Sequence, residues 1–220
     1  MSSRPRNSNR REVNPPRRRI QLRLDLQVIA DMIAPDTRVL DVGCGDGSLL
    51  DYLGHAKAVD GRGIELSQAG VNACVSHGLS VVQGDADTDL ADYPRHSFDY
   101  AVLSQTLQAT RDPKGVLLAL VRIGKHAIVS IPNFGYWRMR LALLAGGHMA
   151  MPQAFQHRWY DTPNIHPCTI ADFVVLCDEL GIRIRRAVSI DRRGRTRASG
   201  QPRPLANLLD EQAIFLLAKD

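Results

Sequence analysis

Arg38-Val-Leu-Asp-Val-Gly-Cys-Gly-Asp-Gly47 is a short apolar run that breaks into a glycine loop. Ser48 to Leu53 follows with helical spacing. A strand, a glycine loop and a helix in that order form the first unit of an α/β sheet whose loop brings main chain close to a ligand. The helix start presents main-chain N–H groups and the positive end of a dipole to an anion. A dinucleotide site requires Gly-x-Gly-x-x-Gly. Its third glycine position is Ser48 here, and Gly47 gives Gly-x-Gly-x-Gly instead, with Asp41 ahead of it.

Upstream of this unit, Leu26, Ile29, Met32 and Ile33 recur at helical spacing and Pro35 ends the helix. Downstream, Lys57 to Ile64 reads as a strand weakened by Gly61 and Gly63, Gln68 to His77 as a helix and Ser80 to Gln83 as a strand. Phe98 to Leu103 and His126 to Ile131 are further strands, and Pro113 opens a helix through about Val121. The expected order is β-α-β-α-β-α-β-α-β. Continuous apolar strands alternating with helices specify a parallel sheet covered on both faces. Right-handed crossovers then give a doubly wound sheet with its ligand at the carboxyl ends of the strands. Thr169 is expected to cap a helix ending at Gly181, and Ile182 to Val188 and Glu211 to Ala218 to supply the last two of seven strands. Arg192 to Pro204, basic and poor in apolar residues, is expected to be a mobile loop.

The composition is that of a soluble globular chain, 220 residues with 44% hydrophobic content. No apolar run approaches the ~18–20 residues of a membrane span, and residues 1–19 lack the apolar stretch of a secretory signal. A cytoplasmic protein is expected. The net charge of +5 is unevenly placed. Residues 1–19 hold seven arginines and one glutamate, so that arm carries +6 and the rest sums to −1. Residues 1–23 therefore read as a disordered Arg-rich arm, and 24–220 as one domain. A near-neutral body argues against nucleic-acid binding, and no membrane contact is expected. Four single cysteines in no zinc-like spacing indicate reduced thiols and no metal site.

The ligand that suits Gly-x-Gly-x-Gly after an aspartate is S-adenosyl-L-methionine, or its product S-adenosyl-L-homocysteine. It has no pyrophosphate but carries a carboxylate for the helix N-terminus and an ammonium for Asp41. Gly43, Cys44, Gly45 and Gly47 form the cradle. Glu65, with Leu66 beside it, lies where a carboxylate accepts the ribose hydroxyls. The arrangement is similar to that of class I methyltransferases. That likeness implies that Gly84, Asp85 and Ala86 hold the adenine end and that Ser104 and Gln105 sit beside the methyl donor.

From Pro132 to Cys168 the chain is rich in Trp, Tyr, His and Asn, the composition of a lid or binding insert. Asn133, Tyr136, Trp159, Tyr160, Asp161, Asn164 and His166 are its candidates for the mouth. Of these, Asn133, Tyr160 and His166 are candidate catalytic groups, with plain packing roles equally open.

Ser104-Gln-Thr-Leu-Gln-Ala109, Ile131-Pro-Asn-Phe-Gly-Tyr-Trp-Arg138 and Trp159-Tyr-Asp-Thr-Pro-Asn-Ile-His-Pro-Cys-Thr169 narrow the likeness. With Val39 to Gly47 and Gln83-Gly-Asp85, they resemble the methionine biosynthesis protein MetW family from about Leu24 to Asp191. The resemblance implies a role beside a MetX-type homoserine O-acyltransferase. It does not imply that the chain itself transfers a methyl group. A small-molecule methyltransferase is the alternative, and a nucleic-acid methyltransferase ranks last because the fourth strand lacks an Asn-Pro-Pro-Tyr run.

Overall fold

A computed structural model describes residues 22–148, 160–201 and 205–219. The chain runs α1 (Leu24–Met32), β1 (Arg38–Val42), α2 (Ser48–Lys57), β2 (Asp60–Glu65), α3 (Gln68–Ser76) and β3 (Val81–Gln83). It continues through β4 (Phe98–Ser104), α4 (Pro113–Ile123), β5 (Gly124–Pro132), α5 (Trp137–Gly146) and α6 (Ile170–Glu179). β6 (Arg183–Ile190), β7 (Thr196–Ser199), α7 (Ala206–Leu209) and β8 (Gln212–Ala218) complete it.

The strands form one sheet in the order β3-β2-β1-β4-β5-β8-β6-β7. The first five are parallel; β8 inserts antiparallel between β5 and β6. After β1 the chain winds outward to β2 and β3, then returns across to β4. The strand order thus reverses between β1 and β4, where Val42 lies opposite Leu103. Period-two alternation divides the core. Val39, Val102 and Ile128 pack under α1 and α2 with Leu26, Ile29 and Leu53. Leu40, Val42, Leu103 and Val129 face α4 and α6 on the other side. Asp41 shares a face with Val39, so this carboxylate is directed into the apolar layer beneath α1.

Local signals place the helix ends. Asp112 accepts the Gly115 N–H ahead of Pro113, and Thr169 and Asp172 form a reciprocal capping box. Among the described residues no helix is long and apolar enough to cross a membrane.

Within the expected fold, three details differ from expectation. The crossover from β3 to β4 contains a single 3-10 turn, Asp89–Asp92, and no α-helix. The sheet has eight strands rather than seven, because the basic segment after β6 supplies β7, a short edge strand. That segment is held by charge: Asp191 receives the Arg193 and Arg195 main-chain N–H groups and the Arg195 and Arg197 side chains. Arg197 also reaches Asp210 at 2.6 Å. These contacts keep the Asp191 carboxyl at about 2, the Arg195 main-chain N–H being the largest cause. Finally, Leu22 and Arg23, assigned to the arm by composition, belong to the folded unit. Leu22 is buried in the α1–α2 core, and Arg23 pairs with Asp25 at 2.9 Å.

Candidate functional site

The glycine loop leaves β1 at the reversal point. Gly43 and Cys44 both donate their N–H groups to Ile64 O, at 2.8 and 3.1 Å, which locks the loop onto β2. Gly43 adopts φ +70°, and a Cβ there would lie 2.8 Å from Thr106 Oγ1, so the position requires glycine. A Cβ on Gly45, at φ +59°, would meet nothing within 4 Å. One side of the loop therefore faces open space at main-chain distance, as a cradle requires.

Glu65, at the end of β2, joins three loops. Its Oε2 accepts the Gly45 N–H and its Oε1 the Ser67 N–H, both at 2.8 Å. Its main-chain oxygen accepts the Gly84 N–H at 3.1 Å. Beside it Leu66 is 65% exposed, an apolar surface at the carboxyl edge of the sheet. Asp85 lies in the next loop, with Oδ1 bonded to Asp87 N–H and Oδ2 to Arg111 at 3.2 Å. Arg111 is well exposed while Asp85 is partly buried, so the arginine can swing away and leave the carboxylate to a ligand. Ala86 packs instead against the core.

Asp41 is the unusual group. It is buried, and its Oδ1 has no hydrogen-bond partner among the described residues. Burial, with the nearby Glu65 charge adding, raises its carboxyl to about 7, while Arg23 opposes the rise. A desolvated carboxylate of this kind is costly unless a cation or donor completes it.

Composition concealed Arg23 within the basic arm. Its Nε and Nη2 grip the buried Asp25 at 3.2 and 2.9 Å, yet the side chain remains 62% exposed. Asp25 Oδ2 in turn accepts Gln105 Nε2 at 2.9 Å. The guanidinium is therefore fixed at the carboxyl ends of β1 and β4, where it opposes the rise of the Asp41 carboxyl and adds to the lowering of Asp46, whose largest cause is the Ser48 side-chain hydrogen bond. Asp46 already caps Ser48 at the start of α2. Because that helix end carries its own anion, a second anion there needs the extra cation that Arg23 supplies.

The segment after β4 completes the site. Gln105 has φ +50°, rare for a residue with a side chain. Its N–H donates to Ser130 O and Oγ, both at 3.0 Å, and Ser104 Oγ lies 3.3 Å from Ser130 Oγ. These contacts and the Gln105 bonds to Asp25 and Gln212 hold the strained turn. Gln108 is buried, donates to Gln105 O at 2.6 Å and leaves Oε1 without a partner among the described residues. Cys44 and Cys74 approach to 3.9 Å behind the loop; sequence spacing gave no sign of this pair.

The mouth candidates separate. His166 donates its main-chain N–H to Gln108 O at 2.9 Å, which brings residue 166 to the end of β4 with its side chain exposed. Asn133 is buried in a different polar cluster. Its amide donates to Asn207 O and Asp210 O and accepts from Gly135 and Ile170, leaving no capacity for a ligand in this arrangement. Tyr136 is buried, Asn164 bonds Thr162, and Tyr160 and Asp161 are exposed. Trp159 lies outside the described residues.

A family model described as methionine biosynthesis protein MetW matches residues 23–217. The chain belongs to the MetW family. It is 33% identical over 181 residues to the bifunctional methionine biosynthesis protein MetXA/MetW of Rhodopirellula baltica, covering 78% of this chain and 29% of that one. Over 119 residues it is 33% identical to a ubiquinone biosynthesis O-methyltransferase of Hahella chejuensis, covering 52% of this chain and 47% of that protein. The chain thus spans less than half the length of either relative. Among solved structures it resembles a SAM-dependent methyltransferase of Thermotoga maritima described as a possible histamine N-methyltransferase. The TM-score is 0.64 at 17% identity, covering 89% of this chain and 87% of that one. The MetW family's place in the class I methyltransferase fold agrees with the sheet order and the reversal point.

Proposed function

We propose that the chain binds S-adenosyl-L-methionine or S-adenosyl-L-homocysteine between the glycine loop and Glu65, and supports a MetX-type homoserine O-acyltransferase in methionine biosynthesis. The buried, incompletely bonded Asp41 beside an open glycine loop carries the cofactor reading. The residues present suit the ligand's groups one by one. Asp41 attracts the ammonium, Arg23 and the α2 N-terminus the carboxylate, and Glu65 the ribose hydroxyls. Leu66 offers an apolar face to adenine, and Asp85 an acceptor once Arg111 moves aside.

When bound, S-adenosyl-L-methionine supplies an electrophilic methyl group. Gln105 and Gln108 would flank that end of the ligand; Asp25 and Ser130 hold Gln105, and Gln105 O holds Gln108. Support for the acyltransferase role comes from the MetXA/MetW relative, in which the matching region forms part of one chain with a MetXA unit. The insert from Pro132 to Cys168 is the joint candidate for lid and partner surface; of its described parts, the stretch that carries His166 lies against Gln108 as the lid side, and α5 stands exposed as the partner side. If cofactor binding orders this segment and the partner prefers the ordered form, cofactor and partner strengthen each other's binding by the same factor. Resemblance to an O-methyltransferase keeps small-molecule methyl transfer as the second reading.

The test is to co-express the chain with the homoserine O-acyltransferase of its own host and to measure complex formation and acylation rate with and without S-adenosyl-L-methionine. A complex whose acylation rate rises supports the accessory role. No complex and no change in rate would leave the methyltransferase reading in front.

A further inference from the structure

Helix α5 leaves the end of β5 immediately beyond the site, and none of its ten residues is buried. Trp137, Leu141 and Leu144 occupy positions i, i+4 and i+7 and so form one stripe. They are 42, 52 and 85% exposed. Met139, on the opposite side, is the least exposed residue of the helix, so the stripe turns away from the body. Arg138 and Arg140 border the stripe on its two sides, and the helix has no acidic residue. Arg138 lies over the Trp137 ring at 5.8 Å, and Arg140 is held by Gly135 O at 2.6 Å. Gly135 abuts Asn207 of α7, and the next two residues of that helix, Leu208 and Leu209, are themselves exposed.

We propose that this stripe is the docking element for the acyltransferase, seated in an apolar groove with an acidic rim; this rests on the partner reading above. Three anchors at that spacing are how a helix enters a groove. The flanking arginines select the occupant. A second copy of the chain would set the same arginines against one another across a two-fold axis. The N-terminal arm, with seven arginines in residues 1–19, is repelled for the same reason. A membrane surface calls for clusters of about 4–8 basic residues, and α5 has two.

The experiment compares the full-length wild type with the double variant Leu141→Glu/Leu144→Glu and with Arg138→Glu. Affinity for the host's homoserine O-acyltransferase is measured by surface plasmon resonance. Melting temperature, S-adenosyl-L-homocysteine affinity and sedimentation with phosphatidylcholine–phosphatidylserine vesicles are measured in parallel. The double variant is expected to lose at least tenfold in partner affinity, and Arg138→Glu several-fold with a weaker salt dependence. Melting temperature and ligand affinity stay at wild-type values. Unchanged partner affinity overturns the docking assignment and leaves the partner reading intact. A wild type that binds no acyltransferase overturns both. A fall of several degrees in the double variant's melting temperature shows that the chain covers its own helix and overturns the proposal. So does vesicle binding that only the wild type shows, or a wild-type dimer that the variant dissolves.

Discussion

Gly45 donates its main-chain N–H to Glu65 Oε2 at 2.8 Å, so the cradle after β1 and the carboxylate after β2 are parts of one hydrogen-bonded unit. Because Ser67 occupies the other oxygen, Glu65 is oriented before any ligand arrives. Preorganisation of this kind lowers the ordering cost of binding. Glu65→Ala removes both the acceptor for the ribose and the link to the loop. The expected loss of S-adenosyl-L-homocysteine affinity is about 2–4 kcal/mol, roughly 30- to 1000-fold in Kd. Isothermal calorimetry decides it, and equal binding by the mutant would remove Glu65 from the site.

Arg23→Gln separates the two ends of the ligand. S-adenosyl-L-homocysteine carries the carboxylate that Arg23 is positioned to meet, whereas 5′-methylthioadenosine lacks it. Affinity for the first is expected to fall roughly 10- to 100-fold and for the second to stay within about twofold. Parallel losses for both ligands would mean that Arg23 acts through the fold and not on the carboxylate.

Asp41 couples pH to stability and to binding in opposite directions. Its carboxyl titrates near 7 in the folded chain against an ordinary 3.8. Between those values the folded chain keeps a proton that the unfolded chain has released. Stability contributed by this group therefore declines as pH rises from about 4 and levels off above about 7. Asp41→Asn is expected to stabilise the ligand-free protein by about 2–4 kcal/mol at pH 8 and by less, about 1–2 kcal/mol, at pH 5. The same change weakens cofactor binding, and wild-type binding tightens as pH rises through 7 because the ionised carboxylate attracts the ammonium. Calorimetric melting and titration at both pH values test the pair of signs. A mutant less stable at pH 8 would mean that the carboxylate is already partnered.

Two glycines of the loop are expected to fail differently. Alanine at Gly43 meets Thr106 Oγ1, which itself donates to Ser104 O at 2.9 Å, so both φ strain and a steric clash lower the melting temperature. Alanine at Gly45 has room and incurs only the strain of positive φ, about 1–2 kcal/mol. Its methyl group projects into the cradle, so affinity falls more than stability. Thermal melts and titrations on both variants give the comparison, and the reverse ranking would contradict the loop geometry.

The parallel half of the sheet, the loop at its reversal point and the family were legible in the order of residues alone. Each of these is written in consecutive residues: a short, largely apolar run, glycines two apart, a proline or Ser/Thr at a helix start. Such local signals survive without knowledge of any distant contact. The acid at the end of β2 was legible for the same reason, since its separation from the loop is one strand–helix unit. What the sequence did not show depended on pairing across many residues. Strand β7 exists because Asp191 and Asp210 gather Arg195 and Arg197 from a segment whose composition alone resembles a loop. Arg23 reads as part of a basic arm until Asp25, held in turn by Gln105 eighty residues away, fixes it over the glycine loop. Asn133 reads as a candidate at the mouth until four main-chain groups, three of them from two distant segments, account for its amide. Period and composition record which face a side chain takes. Only the tertiary structure decides which charge or dipole it meets there, because Coulomb and hydrogen-bond energies depend on distances that the order of residues does not encode.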